Sequence, residues 1–177
     1  MKRILVPTDF SEQAENALKV AAQLAKKNES EIYVLNSLEL PTHLSSSGAN
    51  GAMPESLFFI KLAEKYFEEL LEKPYLEGLL IHEAIIGHGE VYKDVNEVVK
   101  EKNIDLVIMG SQGTNGFMEL FIGSNTEKVV RTSEIPVLVI KNNHEDFKTD
   151  NFVYATDFSE ECKIPFNQAK KFAEGTN

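Results

Sequence analysis

Closely spaced glycines follow the apolar run DLVIMG near the middle of the chain: Gly110, Gly113, Gly116 and Gly123. Glycine weakens regular elements, so its repeated use indicates positive φ angles or a group that approaches the main chain closely. Gly113 suits a tight turn. Gly110, at the end of the run, would let a ligand lie against the backbone without meeting a Cβ atom. The spacing predicts a binding loop.

Polar residues after the last glycine suggest which ligand this loop binds. Ser124, Asn125 and Thr126 begin a predicted helix, whose free N–H groups and dipole favour phosphate. Their side chains can donate further hydrogen bonds to phosphate oxygens. Asp9, in the segment PTDFS, can bind a ribose hydroxyl or a phosphate-bound Mg²⁺ ion. Turn glycines with ordinary helix-capping residues are the open alternative at this point.

Other chemistries lack their sequence patterns. The chain contains neither G-x4-G-K-[ST] nor G-x-G-x-x-G, so no P-loop or dinucleotide fingerprint is predicted. His82, Glu83 and His88 have the wrong spacing for a zinc helix and lie in a strand-like run. No Ser–His–acid set can be argued from spacing. We therefore expect no metal other than ligand-bound Mg²⁺.

Strand-like and helical patterns alternate along residues 1–141 and would position these loops. Five apolar runs predict strands: RILVPT, EIYVLNS, LLIHEAIIG, DLVIMG and PVLVIK. Helices are predicted after the N-cap Ser11, from Pro54, along the Val91–Val99 stripe and over 124–133. The alternation predicts an α/β fold with a five-stranded, doubly wound, Rossmann-like parallel sheet. Its ligands bind beyond the carboxyl ends of the strands, where both candidate loops are placed.

Composition limits the classes of partner. The formal net charge is −10, which argues against binding to nucleic acid. No segment approaches the roughly 20 apolar residues of a membrane span, so a soluble protein without membrane contact is expected. One cysteine permits no intrachain disulfide, and the first apolar run is too short for a signal peptide. Cytoplasmic localisation is the resulting expectation.

An internal repeat divides the chain. Residues 4–25 and 152–173 align without a gap and share TDFSE, at 8–12 and 156–160. Only one strand and one helix of the second copy are present, so we predict a domain over 1–141, a linker over 142–151 and an incomplete second repeat over 152–177. The tail, residues 152–177, is expected to dock on the 1–141 unit or on its partner, as a strand or extended segment and a short helix that begins near Pro165.

The pattern G-x2-G-x9-G-S and the opening ILVPTDFS resemble the universal stress protein family. The resemblance covers residues 1–141, and residues 152–173 resemble the start of a second unit of the tandem type. It implies that backbone groups near Pro7, Thr8, Asn36 and Met109 flank the ribose and adenine of ATP or ADP. It also implies a two-fold homodimer through the strand at 136–141. One departure is that TNGFMELFI, between Gly113 and Gly123, contains no Lys or Arg.

We therefore predict a protein that binds ATP or ADP with Mg²⁺ as a regulatory ligand in stress response. The sequence offers no positioned general base or arginine for phosphoryl transfer, so turnover is expected to be slow or absent. The nucleotide would order the loop at 37–53. Two alternatives stand beside this prediction: a slow ATP hydrolase or nucleotidyl-transfer enzyme on the same scaffold, and a nucleotide-free dimerisation module.

Overall fold

The structure, a computed structural model, describes residues 1–38, 52–111 and 122–176. Gly113, Gly116 and most of the loop predicted at 37–53 lie outside these ranges. The strands are β1 (Arg3–Pro7), β2 (Glu31–Ser37), β3 (Ile81–Gly87), β4 (Leu106–Gly110) and β5 (Val137–Ile140). The helices are α1 (Glu12–Asn28), α2 (Ala52–Leu71), α3 (Val91–Lys102), α4 (Ser124–Thr132) and α5 (Lys163–Thr176). Two 3₁₀ turns, Pro74–Leu76 and Glu160–Cys162, complete the described elements.

The five strands form one parallel sheet with the order β3-β2-β1-β4-β5. The chain builds outward from β1 to β3, crosses back to place β4 on the other side of β1, and ends at the β5 edge. The strand order thus reverses between β1 and β4. This confirms the predicted doubly wound sheet and places the reversal between the two loops predicted to bind a ligand.

Helices cover both faces of the sheet. Side chains alternate along each strand, so apolar side chains point to both faces and each face is packed against helices. On one face α1 and α2 pack over Ile4, Val6, Ile32, Val34 and Ile108. On the other face α3 and α4 pack over Leu5, Tyr33, Leu35, Val107 and Met109. Strands buried on both faces explain the continuous apolar runs of the sequence.

Helix boundaries agree with the local signals to within a few residues. Ser11 caps α1, as predicted, and its side chain accepts a hydrogen bond from the Ala14 N–H at 3.3 Å. Helix α2 begins at Ala52, before the predicted start at Pro54. Proline is tolerated there because the N–H groups of a first helical turn have no intrahelical partner. None of the helices in the described ranges has the length and apolar composition required to cross a bilayer.

Residues that follow the sheet contact its first helix and the core, through the segment 144–147 and through α5. The side-chain amide of Gln23 on α1 donates to the His144 carbonyl at 2.8 Å, and its oxygen accepts from the Phe147 N–H at 2.7 Å. Phe147 and Phe172 both pack against the core beneath α1. Helix α5 starts two residues before the predicted Pro165, after the 3₁₀ turn, and residues 151–159 form no strand.

Candidate functional site

The turn after β1 carries the candidate acidic residue. The Thr8 N–H donates to the Leu35 carbonyl at 2.8 Å, which extends the pairing of β1 with β2 by one residue. The Asp9 carboxylate then accepts from the Ser11 N–H at 3.1 Å, and its side chain is exposed at the rim of the sheet. The fold thus places this carboxylate at the carboxyl edge, where the sequence predicted it.

Phe10 holds this turn in an unusual conformation. Its φ angle is 61°, in the left-handed region, which costs a non-glycine residue on the order of 1 kcal/mol. Its N–H donates to the Thr8 hydroxyl oxygen at 3.0 Å. Its ring packs against Tyr66 and Phe67 of α2, with centroid separations of 5.1 and 5.2 Å. Because the ring is anchored in this way, the strained turn is a fixed feature beside Asp9.

Gly110 closes β4, and the structure changes the reason for its being glycine. A Cβ atom there would lie 2.8 Å from the Gln13 carbonyl oxygen and 3.2 Å from the Ala14 nitrogen, both in the first turns of α1. This space, predicted from the sequence to admit a ligand, is filled by the backbone of α1. Gly110 therefore allows a helix to approach the strand closely, which fixes α1 against the end of β4.

The start of α4 is tied to the end of β4. The Gly123 N–H donates to the Ser111 carbonyl at 2.7 Å, and the Ser111 N–H donates to the Ile140 carbonyl at 2.8 Å. The Thr126 hydroxyl, in a side chain only 4% exposed, donates to the Gly110 carbonyl at 2.9 Å. That hydrogen is engaged with the main chain, so donation by this hydroxyl to a phosphate would first require the bond to Gly110 to break.

The N-terminus of α4 carries no side-chain cap. Gly123 is its N-cap with φ −60° and ψ 149°, which any residue can adopt, so its backbone conformation does not require glycine. Ser124 and Asn125 are exposed in the first turn. With Thr126, they present the N–H groups that have no intrahelical partner. This open helix end can bind an anion.

The end of β2 forms the third part of the edge. The side-chain amide of Asn36 donates to the Thr8 carbonyl at 2.8 Å, which joins the ends of β1 and β2. Among the described residues, its buried Oδ1 atom has no hydrogen-bond partner, and the same holds for the Ser37 hydroxyl. Asn36 is among the residues predicted from the sequence, whereas Ser37 is not. The available signal was a pair of polar residues at the end of the apolar run EIYVL.

A buried carboxylate after β3 was also missed. Asp94, on α3, is 9% exposed and accepts from the Gly89 N–H at 3.1 Å. Its side chain occupies the space in front of Gly87 and Gly89, where a Cβ atom on Gly89 would lie 2.8 Å from Oδ1. The pattern GHG with an acidic residue five positions later was the signal. Asp94 locks the β3–α3 loop beside the end of β2.

The predicted site residues fall into two groups. Pro7, Thr8, Asp9 and Asn36 meet where β1 and β2 end, and Gly110 with residues 123–126 meets where β4 ends. Met109 lies in β4 with its side chain in the core under α3 and α4, so only its backbone is available to a ligand. Gly113 is outside the described residues. Among those residues no three acidic, histidine or cysteine side chains cluster as a metal site.

Known proteins similar to this chain were found at the level of sequence and of structure. A model of the universal stress protein family matches residues 1–141. Universal stress protein MJ0577 of Methanocaldococcus jannaschii is 34% identical over 159 residues, covering 81% of this chain and 96% of that protein. The solved structure of MJ0577 matches with a TM-score of 0.68 at 27% identity, over 81% of this chain and 97% of the other.

Two further solved structures share the fold at lower identity. One is a universal stress protein in complex with cAMP, with a TM-score of 0.55, 18% identity and coverage of 78% and 95% of the two chains. The other is from Archaeoglobus fulgidus in complex with dAMP, with a TM-score of 0.51, 20% identity and coverage of 80% and 98%. The family match spans both loops of the candidate site, and the chain belongs to the universal stress protein family.

Proposed function

We propose that this protein binds ATP or ADP with Mg²⁺ at the carboxyl edge of its sheet and uses the nucleotide as a regulatory ligand in stress response. The observation that carries the proposal is the uncapped N-terminus of α4, held at the end of β4, next to the β1 turn that presents Asp9. Two proteins of the same fold hold cAMP and dAMP, which supports a ligand of this class.

Each part of the ligand has a partner in this arrangement. The phosphates bind the N–H groups at the start of α4, where the helix dipole favours negative charge. Asp9 binds the ribose, or a Mg²⁺ ion that the phosphates hold, because Mg²⁺ prefers one or two carboxylates together with phosphate oxygens. The described site residues include no arginine or lysine to stabilise a transferring phosphoryl group, which supports slow or absent turnover.

Substitution of the α4 N-cap tests the phosphate position. In Gly123→Asp, the new carboxylate has the backbone angles of a good N-cap and accepts the first-turn N–H groups itself. We expect the helix to be kept or stabilised while the affinity for Mg·ATP in calorimetry falls at least about tenfold, because the new charge repels phosphate. Glu90→Asp, at the start of α3, changes an N-cap residue without adding a charge and is expected to leave the affinity unchanged. Because Glu90 pairs with Lys128 of α4, the stability of both variants is measured alongside.

The result distinguishes the proposal from its alternatives. If Gly123→Asp binds Mg·ATP as tightly as the wild-type protein, the phosphates do not bind at the start of α4. Native mass spectrometry of the freshly purified wild-type protein separates a bound nucleotide from a converted product, which indicates an enzyme. Failure of the wild-type protein to bind either ATP or ADP in calorimetry would contradict the proposal as a whole.

Assembly and location complete the proposed function. Strand β5 is at the edge of the sheet, and Val137, Leu138 and Val139 are only partly buried there. An apolar edge strand of this kind favours pairing with another chain, so a two-fold homodimer through 136–141 is part of the proposal. Sedimentation showing a wild-type monomer contradicts it. Cytoplasmic localisation is likewise proposed, and cell fractionation tests it.

A further inference from the structure

A cleft of about 370 Å³ lies between α1, the 3₁₀ turn at Pro74–Leu76 and the segment that follows β5. Its volume falls within the range of small-molecule sites in proteins. Lys19 and Lys26 line it on the α1 side, and Tyr75 of the 3₁₀ turn forms a second wall. Lys26 lies about 22 Å along α1 from Ser11, so the cleft is remote from the carboxyl edge of the sheet.

Two contacts of Gln23 hold the segment after β5 over α1. The Gln23 side chain donates to the His144 carbonyl and accepts from the N–H of Phe147, whose ring packs against the core. Gln23 shares one face of α1 with Ala22 and the two lysines, because helical residues three and four apart are neighbours. The small side chain of Ala22 leaves space between the lysines. The cleft is therefore a product of fixed elements of the fold.

The α1 wall of the cleft is cationic, although the protein carries a net charge of −10. Lys19 and Lys73 both pair with Glu15, at 3.5 and 3.6 Å, so two ammonium groups share one carboxylate. Lys26 is exposed and forms no ion pair with the residues that the structure describes. Glu145, on the segment after β5, is the acidic member of the lining. The positive charge on α1 favours an anion.

Tyr75 adds an apolar surface and a polar group to the cleft. The Lys19 ammonium lies 5.8 Å from the centroid of its ring. Its hydroxyl oxygen is buried and has no hydrogen-bond partner among the described residues. Burial, and then the charge of Glu15, raise the pKa of Tyr75, so the hydroxyl stays protonated and can donate. Because buried polar atoms are nearly always paired, this donor favours an occupant with an acceptor group.

We propose that this cleft is a second ligand site, which binds a small organic anion with an apolar body, of the class of aromatic carboxylates. The carboxylate lies beside Lys26 and forms a charge-assisted hydrogen bond with its ammonium group. The body packs on Ala22, the Tyr75 ring and the methylene groups of the lysines. The apolar part is required because an exposed ion pair alone contributes little to affinity.

Two probes of the same shape test the requirement for charge: 2-naphthoate carries a carboxylate, and 2-naphthamide carries a neutral amide instead. In NMR titrations of the full chain, we expect 2-naphthoate to shift the amide signals of residues 19–26 and 143–145 saturably. The neutral probe is expected to bind at least about threefold more weakly. Equal affinities, or no saturable shifts in these residues, would overturn the inference. The outcome is expected to be the same with and without Mg·ATP, since the two sites are separate.

Substitution of one lysine then locates the anion. Lys26→Met keeps the apolar stem and removes the charge, so the affinity for 2-naphthoate is expected to fall about threefold or more. Lys65→Met, on α2, makes the same change of charge outside the cleft and is expected to leave the affinity unchanged. Both lysines are exposed, so both variants are expected to fold. Wild-type affinity in Lys26→Met, or an equal loss in Lys65→Met, contradicts the proposal.

Discussion

The pentapeptide Thr-Asp-Phe-Ser-Glu occurs at 8–12 and at 156–160, and both copies fold into the same turn. The central phenylalanines have φ angles of 61° and 62°. In each copy the threonine hydroxyl oxygen accepts from the phenylalanine N–H at 3.0 Å. The aspartate accepts from the serine N–H at 3.1 Å in the first copy and 2.9 Å in the second. These bonds are local, so five residues suffice to form the turn.

The surroundings of the two turns are opposite. Phe10 packs against two rings of α2, whereas Phe158 is 91% exposed. Leu5 is completely buried in β1, and its counterpart Val153 is 92% exposed in a segment that pairs with no strand. The turn therefore forms without a surrounding sheet. The candidate site at the carboxyl edge, in contrast, requires the neighbouring strands. We infer that 152–177 is an incomplete second repeat, joined by a linker at 142–151.

The largest difference between the two copies is expected in the strand positions. Leu5→Ala leaves a cavity in the core and is expected to lower the free energy of unfolding by about 2–5 kcal/mol. Val153→Ala removes an exposed side chain and is expected to change it by less than about 0.5 kcal/mol. Urea denaturation of both variants measures the difference. Equal losses would mean that the tail is packed as firmly as β1.

A smaller difference is expected at the two serines. Ser11 caps a 17-residue helix through its side chain, while Ser159 makes no such capping bond. Ser11→Ala is therefore expected to cost about 1 kcal/mol of unfolding free energy, and Ser159→Ala close to none. The same denaturation experiment compares them. A greater loss in Ser159→Ala would show that the second turn stabilises the fold more than the first.

The smallest effect concerns the aspartate of the second turn. The Ser159 N–H and the Cys162 thiol both donate to Asp157, and these bonds lower the pKa of its carboxyl to about 2. The first copy has Ala14 in place of Cys162. Cys162→Ala is expected to raise the pKa of Asp157 toward its ordinary value, because one donor to the charged form is lost. Cys162→Ser keeps a donor and is the control.

NMR titration of the Asp157 carboxyl measures this shift. Because its pKa in the folded protein is depressed, the bonds to the carboxylate stabilise the turn above the ordinary aspartate pKa, and this contribution is lost as the pH falls through about 2. We therefore expect the second turn of wild-type protein to persist at pH 3. An unchanged titration midpoint in Cys162→Ala would exclude the thiol as a donor.

The sequence predicted those features of the fold that depend on neighbouring residues. The five strands appear as apolar runs because each is buried on both faces, and Ser11 is recognisable because its capping bond spans three residues. The position of the candidate site followed from the alternation of strands and helices, since the reversal between β1 and β4 is a general property of doubly wound sheets.

The details that the sequence did not predict depend on residues far apart in the chain. Position 110 requires glycine because the Gln13 carbonyl lies where a Cβ atom would be. The hydroxyl of Thr126 donates to the Gly110 carbonyl. Neither contact has a periodic or local signature. For a related reason the backbone angles of Gly123 could not be predicted, because a glycine required by a ligand or a neighbour cannot be told in a sequence from one required by a turn.

The carboxylate of Asp94 occupies the space in front of two glycines, and this has an evolutionary consequence. A larger residue at Gly87 or Gly89 is incompatible with Asp94 in its present position. A smaller residue at position 94 removes the carboxylate from both places, although a Cβ atom at Gly87 would still lie 3.1 Å from the Cβ atom of residue 94. Substitutions at contacting positions of this kind have non-additive effects. Relatives that lose either glycine are therefore expected to have changed position 94 as well, so that the three positions covary across the family.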